Sequence, residues 1–160
     1  MALHARARLG KRIAAQDRGT SFVGSDFTYE DISGRLPALD THEIVGPDTA
    51  LGRAATKVKS TPKDPKTADY DHSLTWIDAQ TKLPLRQDYI DRHGQVARRL
   101  TLDKIEVVEG IPTATERTMA NLKTGGHTTI RFSELTYKTA LKVDDFNERL
   151  LKNPPPEYTR

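Results

Sequence analysis

Val96-Ala-Arg-Arg-Leu-Thr-Leu-Asp-Lys-Ile-Glu-Val107 is the stretch that decides how this 160-residue chain folds. Val96, Leu100 and Leu102 share one parity, whereas Ile105 and Val107 take the other. Alternation with a period of two marks a strand with one buried face. The phase slips once, at Asp103-Lys104, while the apolar face is kept. A β-bulge produces that pattern, and bulges bend strands. A second slip follows downstream, where Thr128, Ile130 and Phe132 share a face and Leu135 and Tyr137 switch parity at Ser133-Glu134. Two slips in neighbouring strands predict a strongly curved sheet.

Upstream, Asp91-Arg-His-Gly94 reads as a hairpin turn, with Gly94 at the position that wants positive φ. Before it, Leu85, Gln87 and Tyr89 form the return strand of Tyr70, His72, Leu74 and Trp76, joined by a turn at Asp78-Ala-Gln-Thr81. The β signal is first read near Ala50, and Arg53–Lys59 alternates with Ala54, Thr56 and Val58 on the inner face. Ser60–Lys66 is a proline-broken loop. Downstream, Ile111–Ala120 is a weaker strand and Asn121–Gly126 its loop. Phe22–Ile32 reads as one short helix or turn packed on the body, with Ser25 as N-cap and Asp26 at the positive helix end. A closing helix is expected from Asp144, through Phe146 and Leu150, to Asn153 before three prolines. The fold class is therefore mainly β (α+β), a curved antiparallel meander of about six strands with a packed helix or helices. Residues 1–20 are expected to be a flexible basic tail, 21–153 the domain and 154–160 a C-terminal tail.

Composition narrows the function. Hydrophobic residues make up 36% of the chain and aromatics 6%, so the core is thin. No apolar run approaches the roughly 20 residues of a membrane-spanning helix. The net charge of +3 lacks the dense positive field that phosphate-backbone binding uses, so no nucleic-acid partner is expected. With no cysteine, disulfides, thiolate zinc sites and thiol nucleophiles are all excluded. The five histidines are scattered without ligand spacing, so no metal site is expected. Asp69/Asp71 and Asp144/Asp145 read as a loop edge and a helix start, and Asp88 as a solvent-facing neighbour of Arg86. Gly19–Ser25 has the glycine spacing of a phosphate loop without its lysine, and no Gly-x-Ser-x-Gly elbow occurs. The chain reads as a non-enzyme without cofactor. Shape remains: a bent sheet with one apolar face makes a concavity for an apolar ligand. Its candidate lining is Trp76, Leu85, Tyr89, Leu100, Val107, Ile130 and Phe132, a list that would serve equally as an ordinary core.

Several segments in order carry a family resemblance: Phe22-Val-Gly-Ser-Asp-Phe-Thr-Tyr-Glu-Asp31, Trp76-Ile-Asp78, Leu83-Pro-Leu-Arg86, Tyr89-Ile-Asp91 with Gly94, Ile105-Glu106, Gly110-Ile-Pro-Thr113, Met119-Ala-Asn121 with Thr124-Gly125, and Phe146, Arg149 and Leu150. Over Phe22–Leu151 the chain resembles the outer-membrane lipoprotein-sorting protein family, in the superfamily of the periplasmic lipoprotein carrier LolA. The resemblance implies a LolA-like half-open barrel whose concave face takes lipid acyl chains under a helical lid. It also implies a Gram-negative periplasm, no cofactor, and a part in lipoprotein sorting, lipid transport and outer-membrane biogenesis. The implied partners are a lipoprotein acyl chain or other lipid and an envelope membrane transport complex; the alternative is a non-catalytic subunit with a filled barrel docking on an export complex. Family members run longer before the Gly-Ser-Asp-Phe region, so the chain is expected to be a fragment or a shortened member, with no signal peptide of its own. No residue matches the lid-latching arginine of the better-known carriers. A shortened N-terminus leaves an open sheet edge, and a homodimer through that edge is expected.

Overall fold

The computed structural model describes residues 13–14, 17–139 and 147. The greater part of the basic N-terminal segment, the expected closing helix apart from Asn147, and the proline run lie outside the described residues. After one short helix, α1 (Tyr29–Ser33), the chain runs through seven strands: β1 (Asp40–Ala50), β2 (Arg53–Pro62), β3 (His72–Asp78), β4 (Pro84–Ile90), β5 (Val96–Val108), β6 (Ile111–Asn121) and β7 (His127–Arg131). They form one antiparallel sheet in sequence order, unclosed.

The predicted bulge lies where the sequence phase slips. Pairing of β5 with β6 is irregular between Leu102 and Ile105. The pairings β1–β2, β3–β4 and β4–β5 are irregular too, leaving Val45, Leu85 and Ala97 as extra residues. Each bulge adds local twist and bend, so the sheet curves along most of its length. Gly94 takes φ +78° in the predicted turn. The β5–β6 loop is two residues, Glu109-Gly110, both at positive φ (51° and 86°), the backbone that a tight two-residue hairpin requires.

Other expectations are corrected. The sheet begins at Asp40, one strand before the signal read near Ala50. In β2 it is Ala55 that is buried, while Ala54 is exposed, because Ala55 stands opposite Asp78 on the face that carries Trp76. Tyr70 precedes β3 and packs in a different cluster from Trp76, so the two do not share a face. The second slip, at Ser133-Glu134, is not a bulge: β7 ends at Arg131, and Phe132–Thr139 runs on outside any strand. Asp88 is not solvent-facing. It is 2% exposed, gripped by Arg86 and by Arg99, whose Nε donates to Oδ1 at 2.8 Å. Burial opposes its charge, but the two guanidiniums outweigh that and hold the carboxyl below its usual range.

The N-terminal segment covers one face through the motif that carried the resemblance. The N-cap of α1 is Thr28, not Ser25: its hydroxyl accepts from Asp31 N at 3.1 Å, and Asp31 Oδ2 accepts from Thr28 N at 2.7 Å. That reciprocal capping box satisfies two donors that a helix start leaves bare. Asp26 accepts from the Thr128 hydroxyl of β7 at 2.8 Å and donates its own N–H back at 3.0 Å, tying the segment to the far side of the sheet. Between these clamps Phe27, 1% exposed, packs with Tyr70, Tyr89 and Met119. A second cluster holds Ala50, Ala55, Trp76 and Leu85. Trp76 lies between Lys57 and Arg86, its neighbours in register on β2 and β4, and its indole N–H donates to Asp48 at 2.9 Å.

Candidate functional site

Residues directly opposite in neighbouring strands share a face. Ser73, Tyr89, Arg98 and Asn121 form one such row; Thr75, Gln87, Leu100, Met119 and Thr128 form the next; Leu102, Arg117 and Ile130 form a third. This is the face that α1 covers. Between it and the segment Phe27–Pro37 lies a cavity of about 250 Å³. Its floor is Ser60, Ser73, Gln87, Tyr89, Leu100 and Arg117, one or two residues from each of β2–β6. Phe27, Glu30, Asp31, Gly34, Arg35 and Pro37 roof it, and Asp40, His42 and Tyr70 complete the wall.

The roof is latched by ion pairs. Arg35 Nε donates to both Asp40 oxygens at 2.9 and 3.1 Å, and its Nη1 donates to Glu30 at 3.1 Å and to the Thr67 carbonyl at 3.0 Å. Burial works against the Arg35 charge, but hydrogen bonds to Asp40 and Glu30 prevail and push its pKa above the usual range. Asp31 accepts from Arg98 Nη1 at 2.6 Å and from the Tyr89 hydroxyl at 2.9 Å. Burial, then the nearby Asp31 charge, pushes the Tyr89 phenol up, so it stays a neutral donor. Burial does the same to Tyr70, whose ring meets that of Tyr89 edge-on at 5.1 Å. On β1, His42 joins the rim, its ring nitrogens within 2.9 Å of the Ser60 hydroxyl and 3.0 Å of the Pro37 carbonyl. Beside the cavity stand exposed apolar residues. Leu36, 65% exposed, lies in the roof segment, and Ile44, 74% exposed, lies two residues along β1 from His42.

The residues chosen from sequence divide among three places. Tyr89 and Leu100 line the cavity, and Ile130 packs against the same cluster. Trp76 is of the other parity from Ser73, so it points to the opposite face, and Leu85, the extra residue of the β4 bulge, packs with it in the second cluster. Val107, 72% exposed, lies near the β5–β6 tip, and Phe132 is exposed beneath the Arg117 guanidinium at 5.1 Å. Sequence reasoning passed over Phe27, Arg35, His42, Tyr70 and Arg117. For Arg117 a signal existed: it shares the parity of the buried Thr113, Thr115 and Met119 on β6.

A protein-family model described as "Uncharacterized protein" matches residues 5–153. No curated protein matches the sequence. Three solved structures share the fold. A DUF1329 family protein from Desulfovibrio piger is 28% identical with a TM-score of 0.78, over 88% of this chain and 59% of its own. A domain named as an outer membrane lipoprotein-sorting protein domain, from Vibrio parahaemolyticus, is 27% identical with a TM-score of 0.80, over 89% and 60%. A LolA superfamily protein from Nitrosomonas europaea has a TM-score of 0.65 at 12% identity, over 83% and 60%, a likeness of fold. The chain thus spans about three-fifths of the length of these relatives.

Proposed function

We infer that this chain, which belongs to the LolA-like lipoprotein-sorting family, binds the acyl part of an amphiphile without chemistry and works as a periplasmic carrier. The observation that carries this reading is the covered sheet face: an unclosed, curved sheet keeps a cavity under its N-terminal segment, and exposed Leu36 lies in that segment between the roof residues Arg35 and Pro37. Burying an acyl chain there is worth about 0.8 kcal/mol per CH₂, and release needs only an acceptor that buries more. A volume of about 250 Å³ lies below the range of about 300–1,000 Å³ typical of pockets for drug-sized ligands. It suits a polar head or one chain segment, with the remaining chain lying over open apolar surface. Lipoprotein acyl chains and an envelope transport complex as donor or acceptor are the partners this reading assigns to the whole protein.

A second reading is favoured by one specific observation. Phe27, Tyr70, Tyr89 and Met119 fill much of the covered face, as in a subunit that docks on an export complex without carrying lipid. Titration with a fluorescent fatty acid separates the two. The carrier reading expects saturable enhancement at one equivalent, reversed by unlabelled fatty acid; a filled sheet gives none. As for a homodimer through the expected N-terminal edge, β7 being the other edge of the sheet, β1 is the strand that would pair. Its bulge at Val45 and its Pro47 both interrupt an edge, which favours a single copy.

A further inference from the structure

We propose that Arg117 is the anchor for the carboxylate of a single-chain fatty acid held in this cavity. The proposal rests on the carrier reading and deepens it by naming the head group. Arg117 lies on β6 with Leu102 and Ile130 directly opposite it on β5 and β7, and Met119 follows it on the same face. Its guanidinium is stacked over Phe132 at 5.1 Å, and the residue lines the cavity floor beside Leu100. An arginine set among leucine, isoleucine, methionine and phenylalanine calls for a partner.

Among the described residues it has none by hydrogen bond or ion pair. Its Nε is buried without an acceptor, and no carboxylate of the described residues lies within ion-pair distance of it. The acids around the cavity are already engaged: Glu30 and Asp40 hold Arg35, and Asp31 holds Arg98. A buried N–H left unpaired is costly, and a planar guanidinium fork matches a carboxylate in two-point geometry. Leu102 and Met119 are buried beneath Arg117, while Leu100 in the cavity floor, half-buried Ile130 and exposed Phe132 offer the surface for an alkyl chain leaving that carboxylate. The missing acceptor and the missing apolar occupant therefore fit one molecule.

The test is calorimetric titration of the full chain at pH 8 with dodecanoate, with 1-dodecanol and with acetate, on wild type, Arg117→Met and Arg117→Lys. Wild type is expected to bind dodecanoate roughly tenfold or more tighter than dodecanol, the effect of one charge-assisted contact. Arg117→Met should bind both alike, near the affinity of the alcohol, and Arg117→Lys should keep part of the preference. Equal affinity of wild type for acid and alcohol overturns the anchor and leaves the carrier reading standing. Failure of both to bind overturns the two together. Acetate competing as well as dodecanoate means a small-anion site and overturns the fatty-acid assignment. If Arg117→Met does not fold, the acid-to-alcohol ratios of wild type and Arg117→Lys still decide: an unchanged ratio in the lysine variant rejects the geometry proposed.

Discussion

Replacing Phe27 by alanine lowers the free energy of unfolding by about 3–5 kcal/mol, the cost of deleting a large buried side chain and leaving a partly unrelaxed hole. Phe27 is 1% exposed and is the side chain that the Gly-Ser-Asp-Phe-Thr-Tyr-Glu-Asp segment contributes to the core of Tyr70, Tyr89 and Met119. The loss reaches further than volume. Asp26 beside it makes its two bonds to Thr128 of β7 only while the segment lies on the sheet. For a chain of this size the expected fall in Tm is on the order of 10 °C, at 2–4 °C per kcal/mol. Urea denaturation checks it: the midpoint drops while the slope holds. Phe27→Leu should cost less than half as much. A Phe27→Ala protein within 1 kcal/mol of wild type (roughly the surface-mutation range) would mean that the segment does not seal the core.

Removal of the Asp31 carboxylate is the other large effect. Asp31, its side chain 5% exposed, takes Arg98 at 2.6 Å, the Tyr89 hydroxyl at 2.9 Å and the Thr28 backbone at 2.7 Å. Asp31→Ala therefore strands a guanidinium and a phenol in the interior and opens the helix cap at once. Breaking a buried pair from one side costs about 3–5 kcal/mol. Asp31→Asn keeps one acceptor oxygen, enough for either the Tyr89 hydroxyl or the Thr28 cap but not both, and should fall between the alanine variant and wild type. The comparison that gives this meaning is the exposed pair Arg131–Glu116, with Arg131 72% exposed. Surface pairs contribute about 0–1 kcal/mol, so Glu116→Gln should leave the urea midpoint nearly unmoved. Similar losses in both variants would contradict the latch described for the cavity roof.

The parts of this fold legible in the sequence are those where burial writes a period. The slip at Asp103-Lys104 predicted the irregular β5–β6 pairing because Leu100, Leu102 and Ile105 are apolar enough to show a phase. β1 was passed over for the opposite reason. Asp40-Thr-His-Glu-Ile-Val-Gly-Pro-Asp-Thr-Ala50 is an edge strand with nearly every residue exposed or half-exposed, so it carries no alternation, and its Gly46-Pro47 reads as a break. Pairing with β2 makes it a strand. Asp88 was misread because an acid two residues after an arginine, beside a glutamine, looks solvated; only the alignment of β4 with β5 brings Arg99 opposite it.

The site was less legible than the fold. A search along apolar parities finds Tyr89 and Leu100, but it cannot find a roof delivered from more than fifty residues earlier in the chain (Phe27, Asp31, Arg35). It also discards an arginine in an apolar row, which is the feature that gives this cavity its chemistry. Curvature, the covering segment and the isolated Arg117 are the features on which the proposed binding of a chain with a polar end rests.

The central claim is that the covered face holds an amphiphile. Native mass spectrometry of protein purified from a bacterial host, with organic extraction of the bound fraction, tests it most directly. A lipid or fatty acid at one equivalent, lost on denaturation, is the result expected. A chain that flies empty, yields no extractable lipid and takes up none when it is supplied would contradict the claim and leave the filled, docking subunit in its place.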